Sequence, residues 1–186
     1  MDASPLLDNG GEKVFGMGDR NRSGVCMSFC ATWIKRCFQL GVTLNKPSQL
    51  GSYKRIAREY GEADLFLAAG NSLSDLPAGY GLTVDRTRES SPVNPVWIAR
   101  ELTLGTGGYI FGVYGSSISV QQGAHVQAAH AMATIRQDGT SCFFDPNLGE
   151  YLFSNSMKMY SGVSDYVGVN YPSLLNLKGY VWKVQS

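Results

Sequence analysis

An apolar stripe that begins at Cys26 is the strongest constraint that this sequence places on its fold. Between residues 24 and 40 the apolar side chains follow the 3.6-residue turn of a helix, at positions 26, 29, 30, 33, 34, 37 and 38. Ser23 is suited to cap the start of this helix and Gly41 to end it. The pattern predicts a helix over 24–40 with one buried face and with Cys26 in its first turn.

The rest of the chain divides into a helical first part and a strand-rich second part. Further helices are predicted at 47–60, 62–70, 96–104 and 157–166, with a loop at Pro77–Gly81. Strands rich in β-branched and aromatic residues are predicted at Tyr109–Tyr114, Ala128–Arg136, Ser141–Phe144, Glu150–Phe153 and Lys178–Val184. This segregation predicts an α+β fold. We expect one domain over residues 1–186, with residues 1–22 as an irregular leader.

Composition and charge exclude several classes of function. The formal net charge is +1 and the sixteen Lys and Arg residues are scattered, so no nucleic-acid partner is expected. Arg86–Arg88 is predicted to be a solvated loop. No stretch reaches the roughly 20 apolar residues of a membrane span. The polar first 13 residues lack the apolar core of a signal peptide, so ordinary signal-peptide export is not expected.

The sequence implies no cofactor and no metal. Cysteines stand at positions 26, 30, 37 and 142, and we expect all four to be reduced because three lie in one predicted helix. Cys26, Cys30 and Cys37 form no C-x-x-C pair and neither histidine lies near them in sequence, which disfavours zinc. No glycine-rich phosphate loop followed by Lys-Ser or Lys-Thr is present.

The position of Cys26 favours a reactive thiol. The first turn of a helix carries unpaired N–H groups whose partial positive charge lowers a thiol pKa, and a nearby imidazolium lowers it further. Cys30 and Cys37 lie deeper in the same helix, where they are expected to pack in the core. Cys26 is therefore the predicted nucleophile, and an inert core thiol is the alternative.

A predicted hairpin brings a histidine and an aspartate together. Asp138-Gly139 is a preferred pair for a two-residue β-turn. With that turn Met132 faces Asp145, and His130, two residues from Met132, becomes the diagonal neighbour of Asp145. Diagonal positions lie about 7–8 Å apart at the backbone, within reach of an imidazole and a carboxylate. Asp145 is thus predicted to orient His130, which exchanges a proton with the thiol.

Simpler roles exist for both residues. His130 could be a satisfied strand histidine, and Asp145 a turn-forming residue before Pro146. The only other histidine, His125, follows Gln121-Gln122-Gly123, is predicted to lie in a loop and has no facing carboxylate. His130 is therefore the preferred base.

Acyl transfer also needs donors for the oxyanion of its tetrahedral intermediate. The backbone N–H of Cys26 would supply one donor. Asn21, five residues earlier, is the only side-chain amide close enough in sequence to supply a second. A polar loop residue is the alternative role of Asn21.

Three motif blocks together resemble the YopT-like family of papain-fold cysteine proteases. They are Gly24-Val25-Cys26 with Trp33-Ile34, then His130-Ala131, and Phe144-Asp145-Pro146-Asn147-Leu148-Gly149. The family order of cysteine, histidine and aspartate, with one hairpin between the last two, is the order of this chain. The resemblance implies a papain-like fold in which an N-terminal helical part carries the nucleophile helix, packed on a C-terminal antiparallel sheet.

The resemblance also implies the roles of individual residues. Cys26 would be the nucleophile, His130 the general base and acid, Asp145 the orienting carboxylate and Asn21 an oxyanion donor. Family members include bacterial effectors delivered into animal or plant cells by specialised secretion systems, and related domains serve as toxins between bacteria. The implied partner is a protein substrate in a target cell, together with a cognate immunity protein if the toxin acts between bacteria.

Two other functions remain open at the level of sequence. A triad of cysteine, histidine and aspartate also serves in transglutaminases, deamidases and papain-like amidases. These enzymes transfer the acyl group to an acceptor other than water or act on an amide other than a protein peptide bond. A non-enzymatic binding module on a papain-like scaffold would not react with a cysteine-directed epoxide at Cys26. A cysteine endopeptidase with an acyl-thioester intermediate is the leading hypothesis.

Overall fold

The computed structural model of the chain describes residues 1–17, 26–41, 47–50, 75–118, 125–137, 139–171 and 178–186. At 47–48, 114–118 and 125–129 it describes the backbone alone. The elements named below are numbered within this described part.

An antiparallel sheet organises the molecule. In the described part it has seven strands: β1 (Gly11–Gly16), β2 (Thr83–Ser90), β3 (Gly107–Ile118), β4 (His125–Gln137), β5 (Thr140–Asp145), β6 (Gly149–Phe153) and β7 (Lys178–Gln185). Their order across the sheet is β1-β6-β5-β4-β3-β7-β2, and all neighbours are antiparallel. Strands β3 to β6 therefore form a meander, and the last strand inserts between β3 and β2.

Helices lie on both faces of this sheet. They are α1 (Ser4–Asp8), α2 (Cys26–Leu40), α3 (Leu76–Gly79), α4 (Pro95–Thr103) and α5 (Ser156–Asn170), with a 3₁₀ turn at Pro47–Leu50. Asparagine side chains cap two of these helices. Asn94 accepts hydrogen bonds from the N–H groups of Val96 and Trp97, and Asn155 accepts one from Lys158 N–H.

The core has two parts because strand side chains alternate between the two faces. In β5, Cys142 and Phe144 pack in the cluster that contains α2, whereas Phe143 packs in the cluster that contains α4 and α5. In β4, Ala131 belongs to the α2 cluster and Met132 to the α5 cluster. Both faces of the central strands are thus buried, as in a sheet held between helical layers.

Most of the predicted helices and strands that fall on described residues are confirmed. The predicted helices near α2, α4 and α5 and all five predicted strands are present, with ends shifted by a few residues. The predicted helix at 47–60 is described only over Pro47–Leu50, as a 3₁₀ turn. Its remainder and the helix predicted at 62–70 lie outside the described residues.

The prediction of an irregular leader over residues 1–22 is wrong for the part that is described. Ser4–Asp8 is helical, and Gly11–Gly16 is an edge strand that pairs with β6. Strand β1 carries a register shift between Lys13 and Phe15. The shift interrupts the alternation of buried and exposed residues by which a strand is recognised in sequence.

The prediction of a solvated loop at Arg86–Arg88 is also wrong. These residues belong to β2, which pairs with β7 at the other edge of the sheet. Charged side chains are common on edge strands because they discourage pairing with other chains. Since β1 and β2 come from the first half of the sequence, the sheet is not confined to the C-terminal half.

Two smaller predictions need correction. The predicted loop at Pro77–Gly81 contains the short helix α3, in which Pro77 stands within the first turn, a position that proline tolerates. His125, predicted to lie in a loop, is the first residue of β4. Within the described residues no helix is both long and apolar enough to cross a membrane.

Candidate active site

Cys26 is the first described residue of α2 and is partly exposed. Its Sγ accepts a hydrogen bond from the backbone N–H of Ala131 in β4, with an N–S distance of 3.3 Å. The two residues are 105 positions apart in sequence. The start of α2 is therefore held directly against the strand that carries His130. Ser23 and Asn21, the predicted helix cap and oxyanion donor, lie outside the described residues.

The hairpin of β4 and β5 has the register that a two-residue turn requires. Gln137 lies opposite Thr140 and Ala133 opposite Phe144. His130 and Asp145 meet at the far end of this hairpin, where His130 Nε2 lies 3.1 Å from each carboxylate oxygen of Asp145. With Nε2 engaged by the carboxylate, Nδ1 is the ring nitrogen left to face Cys26.

Asp145 is completely buried and richly hydrogen-bonded. Besides His130, it accepts hydrogen bonds from the backbone N–H of Asn147 at 2.7 Å and from the hydroxyls of Tyr166 at 2.8 Å and Tyr171 at 3.0 Å. Burial alone would raise the pKa of Asp145. The charge of His130, with hydrogen bonds from His130, Asn147 and Tyr166, outweighs burial, so the pKa lies below its ordinary value of 3.8. These surroundings favour an ionised Asp145 in contact with His130.

The surroundings of His130 favour the protonated form of its imidazole. Its side chain is 11% exposed, and burial alone would lower its pKa. The neighbouring charges of Asp145 and Cys26, with a hydrogen bond to each, outweigh burial and raise the pKa to about 10. The ring also stacks on Tyr171, with centroids 5.2 Å apart and planes 19° apart. An imidazolium in this position can donate a proton to a leaving group.

The Cys26 thiol differs from the other three thiols of the chain. Burial alone would raise its pKa, but the hydrogen bond and charge of His130, with the N–H groups of Ala131 and Met27, lower it below 9.0. Burial instead raises the pKa of Cys30, Cys37 and Cys142, whose side chains are completely inaccessible. All four cysteines are free thiols. Cys26 alone combines exposure with a stabilised thiolate.

Three residues that contact His130 or Asp145 were not predicted from the sequence: Asn147, Tyr166 and Tyr171. The Asp145-Pro146-Asn147 turn motif could have indicated Asn147, since Asp side chains often bond the backbone N–H two residues on. Tyr166 and Tyr171 carry no comparable signal, because they reach Asp145 only through the packing of the C-terminal end of α5. Among the described residues, no group of three His, Cys, Asp or Glu side chains could hold a metal ion.

Comparison with known proteins gives one family and similar solved structures. The model of peptidase family C58, described as Yersinia/Haemophilus virulence surface antigen, matches residues 112–165. This range includes His130 and Asp145 but not Cys26. The comparison with curated proteins gives no match.

Two solved structures are similar to the chain to different degrees. The avirulence protein AvrPphB of Pseudomonas aligns over 97% of this chain and 100% of its own, with a TM-score of 0.66 and 12% identity. The YopT domain of the Pasteurella multocida PfhB2-toxin aligns over 90% of each chain, with a TM-score of 0.30 and 16% identity. The AvrPphB similarity confirms the papain-like α+β fold. The family model supports the resemblance to the YopT-like cysteine proteases.

Proposed function

We propose that this chain is an effector or toxin cysteine endopeptidase, in which Cys26, His130 and Asp145 form the catalytic triad. The observation that carries the proposal is the convergence of these three side chains from α2, β4 and β5. His130 Nε2 lies 3.1 Å from Asp145, and the pKa values of His130 and Cys26 move in opposite directions, upward and downward. These shifts favour a thiolate–imidazolium pair at neutral pH, which is the reactive form of a cysteine nucleophile.

The proposed reaction begins with attack of the Cys26 thiolate on the carbonyl carbon of a peptide bond. A C–S bond forms, and the carbonyl electrons move to oxygen. The tetrahedral intermediate then collapses, the C–N bond breaks, and His130 gives its proton to the leaving amine. The product of this half-reaction is an acyl-thioester on Cys26 with a neutral His130.

Hydrolysis of the thioester restores the enzyme. His130 removes a proton from water, the resulting hydroxide attacks the thioester carbon, and the C–S bond breaks. Sulfur leaves as thiolate and His130 is again an imidazolium. Asp145 remains ionised throughout and keeps Nε2 engaged, so that Nδ1 exchanges the proton in both halves.

The oxyanion of each tetrahedral intermediate requires hydrogen-bond donors. We assign one donor role to the backbone N–H of Cys26, because it lies at the start of α2 beside the attacking sulfur. The side chain of Asn21 is the proposed second donor, on the basis of the family resemblance. An Asn21→Ala variant should lose turnover while Cys26 alkylation by iodoacetamide stays unchanged, because alkylation forms no oxyanion.

The relatives support a proposal for the setting of the reaction. The matching family is described as a virulence surface antigen, and the similar structure with a TM-score of 0.66 is that of an avirulence protein. We therefore propose delivery by a specialised secretion system into the cytosol of a target cell, with a protein of that cell as the substrate.

The proposal is tested by comparing target-cell lysates exposed to wild-type protein and to Cys26→Ala, with mass spectrometry of newly formed amino termini. We expect new termini only with the wild type. Cys30→Ala is the matched control, because it removes a completely buried thiol of the same helix.

Other outcomes would contradict the proposal. The same set of new termini with the wild type and with Cys26→Ala would show that Cys26 takes no part in the cleavage. A mass increase of about one dalton at glutamine, or a cross-link, without new termini would assign the site to deamidation or acyl transfer.

A further inference from the structure

We propose that Tyr171 is a positioning residue that holds His130 and Asp145 together, an inference that rests on the proposed cysteine protease function. The residue follows α5 directly, and its side chain contacts both members of the pair: the ring covers the imidazole, and the hydroxyl donates to the carboxylate. This role differs from that of the triad residues, because Tyr171 acts through His130 and Asp145.

The ring contact restrains the imidazole. The two rings are nearly parallel, with centroids 5.2 Å apart, and Tyr171 is only 5% exposed. A tilt of the imidazole away from Cys26 would have to displace a buried tyrosine. An aromatic face within about 6 Å also favours a cation over a neutral ring. The stack therefore stabilises the orientation and the charge of His130 at the same time.

The hydroxyl contact restrains the carboxylate. Tyr171 Oη lies 3.0 Å from Asp145 Oδ2, and Tyr166 Oη lies 2.8 Å from the same oxygen. The backbone N–H of Tyr171 bonds the carbonyl of Val167, which anchors the residue to the last turn of α5. Tyr166 also donates a hydroxyl hydrogen bond to Asp145 and packs edge-on against Tyr171, whereas the ring that stacks on His130 is that of Tyr171.

The two tyrosines provide a matched comparison. Tyr171→Phe and Tyr166→Phe each remove one hydroxyl donor from Asp145 and keep both rings. Tyr171→Leu removes the ring that covers His130. The charged groups that face His130 are Asp145 from β5 and Cys26 from α2. These substitutions replace neither residue. A change in the pH dependence of thiolate formation at Cys26 is therefore caused by the change at the tyrosine.

The experiment measures the rate of Cys26 alkylation by iodoacetamide against pH, for which no protein substrate is needed. Because the other three thiols are completely buried, the native protein should react at Cys26 alone. We expect Tyr171→Leu to raise the pH midpoint of alkylation and to slow the reaction at pH 6 by about tenfold. Tyr171→Phe and Tyr166→Phe should remain within about threefold of the wild type.

The outcomes separate this inference from the proposed function. A wild-type midpoint near 9 would contradict the thiolate–imidazolium pair and both proposals with it. A lowered wild-type midpoint that Tyr171→Leu leaves unchanged would overturn the role of Tyr171 alone. Equal losses in Tyr171→Phe and Tyr171→Leu would also overturn it, because the ring would then contribute nothing.

A second measurement needs no destabilising variant. The face of an aromatic ring shifts the NMR signals of protons above it upfield. We expect the Hε1 resonance of His130, compared at about pH 5 where the imidazole is protonated in both states, to lie upfield of its position in urea-unfolded protein, and to stay there in Tyr171→Phe. An unshifted resonance in the folded wild type would overturn the stack directly.

Discussion

The indole Nε1 of Trp33 donates a hydrogen bond to Oε2 of Glu150 over 2.7 Å, and both side chains are completely buried. Trp33 also stacks on Phe144 of β5, with centroids 5.2 Å apart and planes 10° apart. These contacts tie α2 to β5 and β6, the strands on either side of the turn that follows Asp145. The helix that presents Cys26 and the strand that presents Asp145 are therefore fixed to each other.

Removal of the indole donor should weaken this connection. We expect Trp33→Phe to lower the free energy of unfolding by about 2–3 kcal/mol, because a buried polar contact to an acidic side chain is lost while an aromatic ring remains. Glu150→Gln is the matched control, since its amide oxygen can still accept from the indole, and its loss should be smaller. Urea unfolding followed by circular dichroism measures both. A change below about 0.5 kcal/mol in Trp33→Phe would contradict this interpretation.

The reactivity of Cys26 should depend on His130. In His130→Ala the hydrogen bond and positive charge that lower the pKa of Cys26 are removed while burial, which raises that pKa, remains. We expect the pH midpoint of iodoacetamide alkylation to move upward. His125→Ala, which removes the second histidine, should leave the midpoint unchanged. An unchanged midpoint in His130→Ala would contradict this dependence, because the start of α2 and the Ala131 N–H would then be enough to lower the pKa of Cys26.

The stability contribution of Asp145 should be lost in acid. Its pKa in the folded protein lies below 3.8, so the ionised form stabilises the fold above that pH, and the contribution decreases as the pH falls through the folded-state pKa. We expect Asp145→Asn to lower the free energy of unfolding by about 3 kcal/mol at pH 7. This difference from the wild type should become smaller below pH 4.

Asp165→Asn is a suitable comparison, because Asp165 is an exposed carboxylate of the same region and bonds the Asn9 side chain at 3.1 Å. Asp165→Asn should lower the free energy of unfolding by less than about 0.5 kcal/mol, both at pH 7 and below pH 4. Equal effects of the two substitutions at pH 7 would contradict a special role of Asp145 in stability.

Gly112 allows β3 to approach the backbone of His130. A Cβ built on Gly112 would overlap the carbonyl oxygen of His130 and lie 2.8 Å from the Tyr180 hydroxyl. We expect Gly112→Ala to lower the unfolding free energy by about 1–3 kcal/mol and to slow Cys26 alkylation, because β4 must shift at His130. Gly79→Ala should be nearly neutral, because no atom beyond the adjoining residues and the backbone of its own helix lies within 4 Å of the added carbon. Thermal unfolding and alkylation rates of both variants provide the comparison.

The local parts of the architecture were predictable because they follow short-range periodicities. The stripe from Cys26 to Phe38 predicted α2, and Asp138-Gly139 predicted the turn that places Gln137 opposite Thr140. The same turn predicted that His130 and Asp145 are neighbours, since strand parity carries over from a known register. Edge strands β1 and β2 were missed because charge and irregular register hide their alternation.

What sequence patterns determined, then, is the proposed set of reacting groups and the hairpin that joins two of them. What only long-range packing could determine is how those groups are supported. The Ala131 N–H reaches Cys26 across 105 residues, and Tyr171 reaches Asp145 from the end of α5. Such contacts depend on how helices lie on a sheet, and helix packing depends on the combined shape of many side chains rather than on any local repeat.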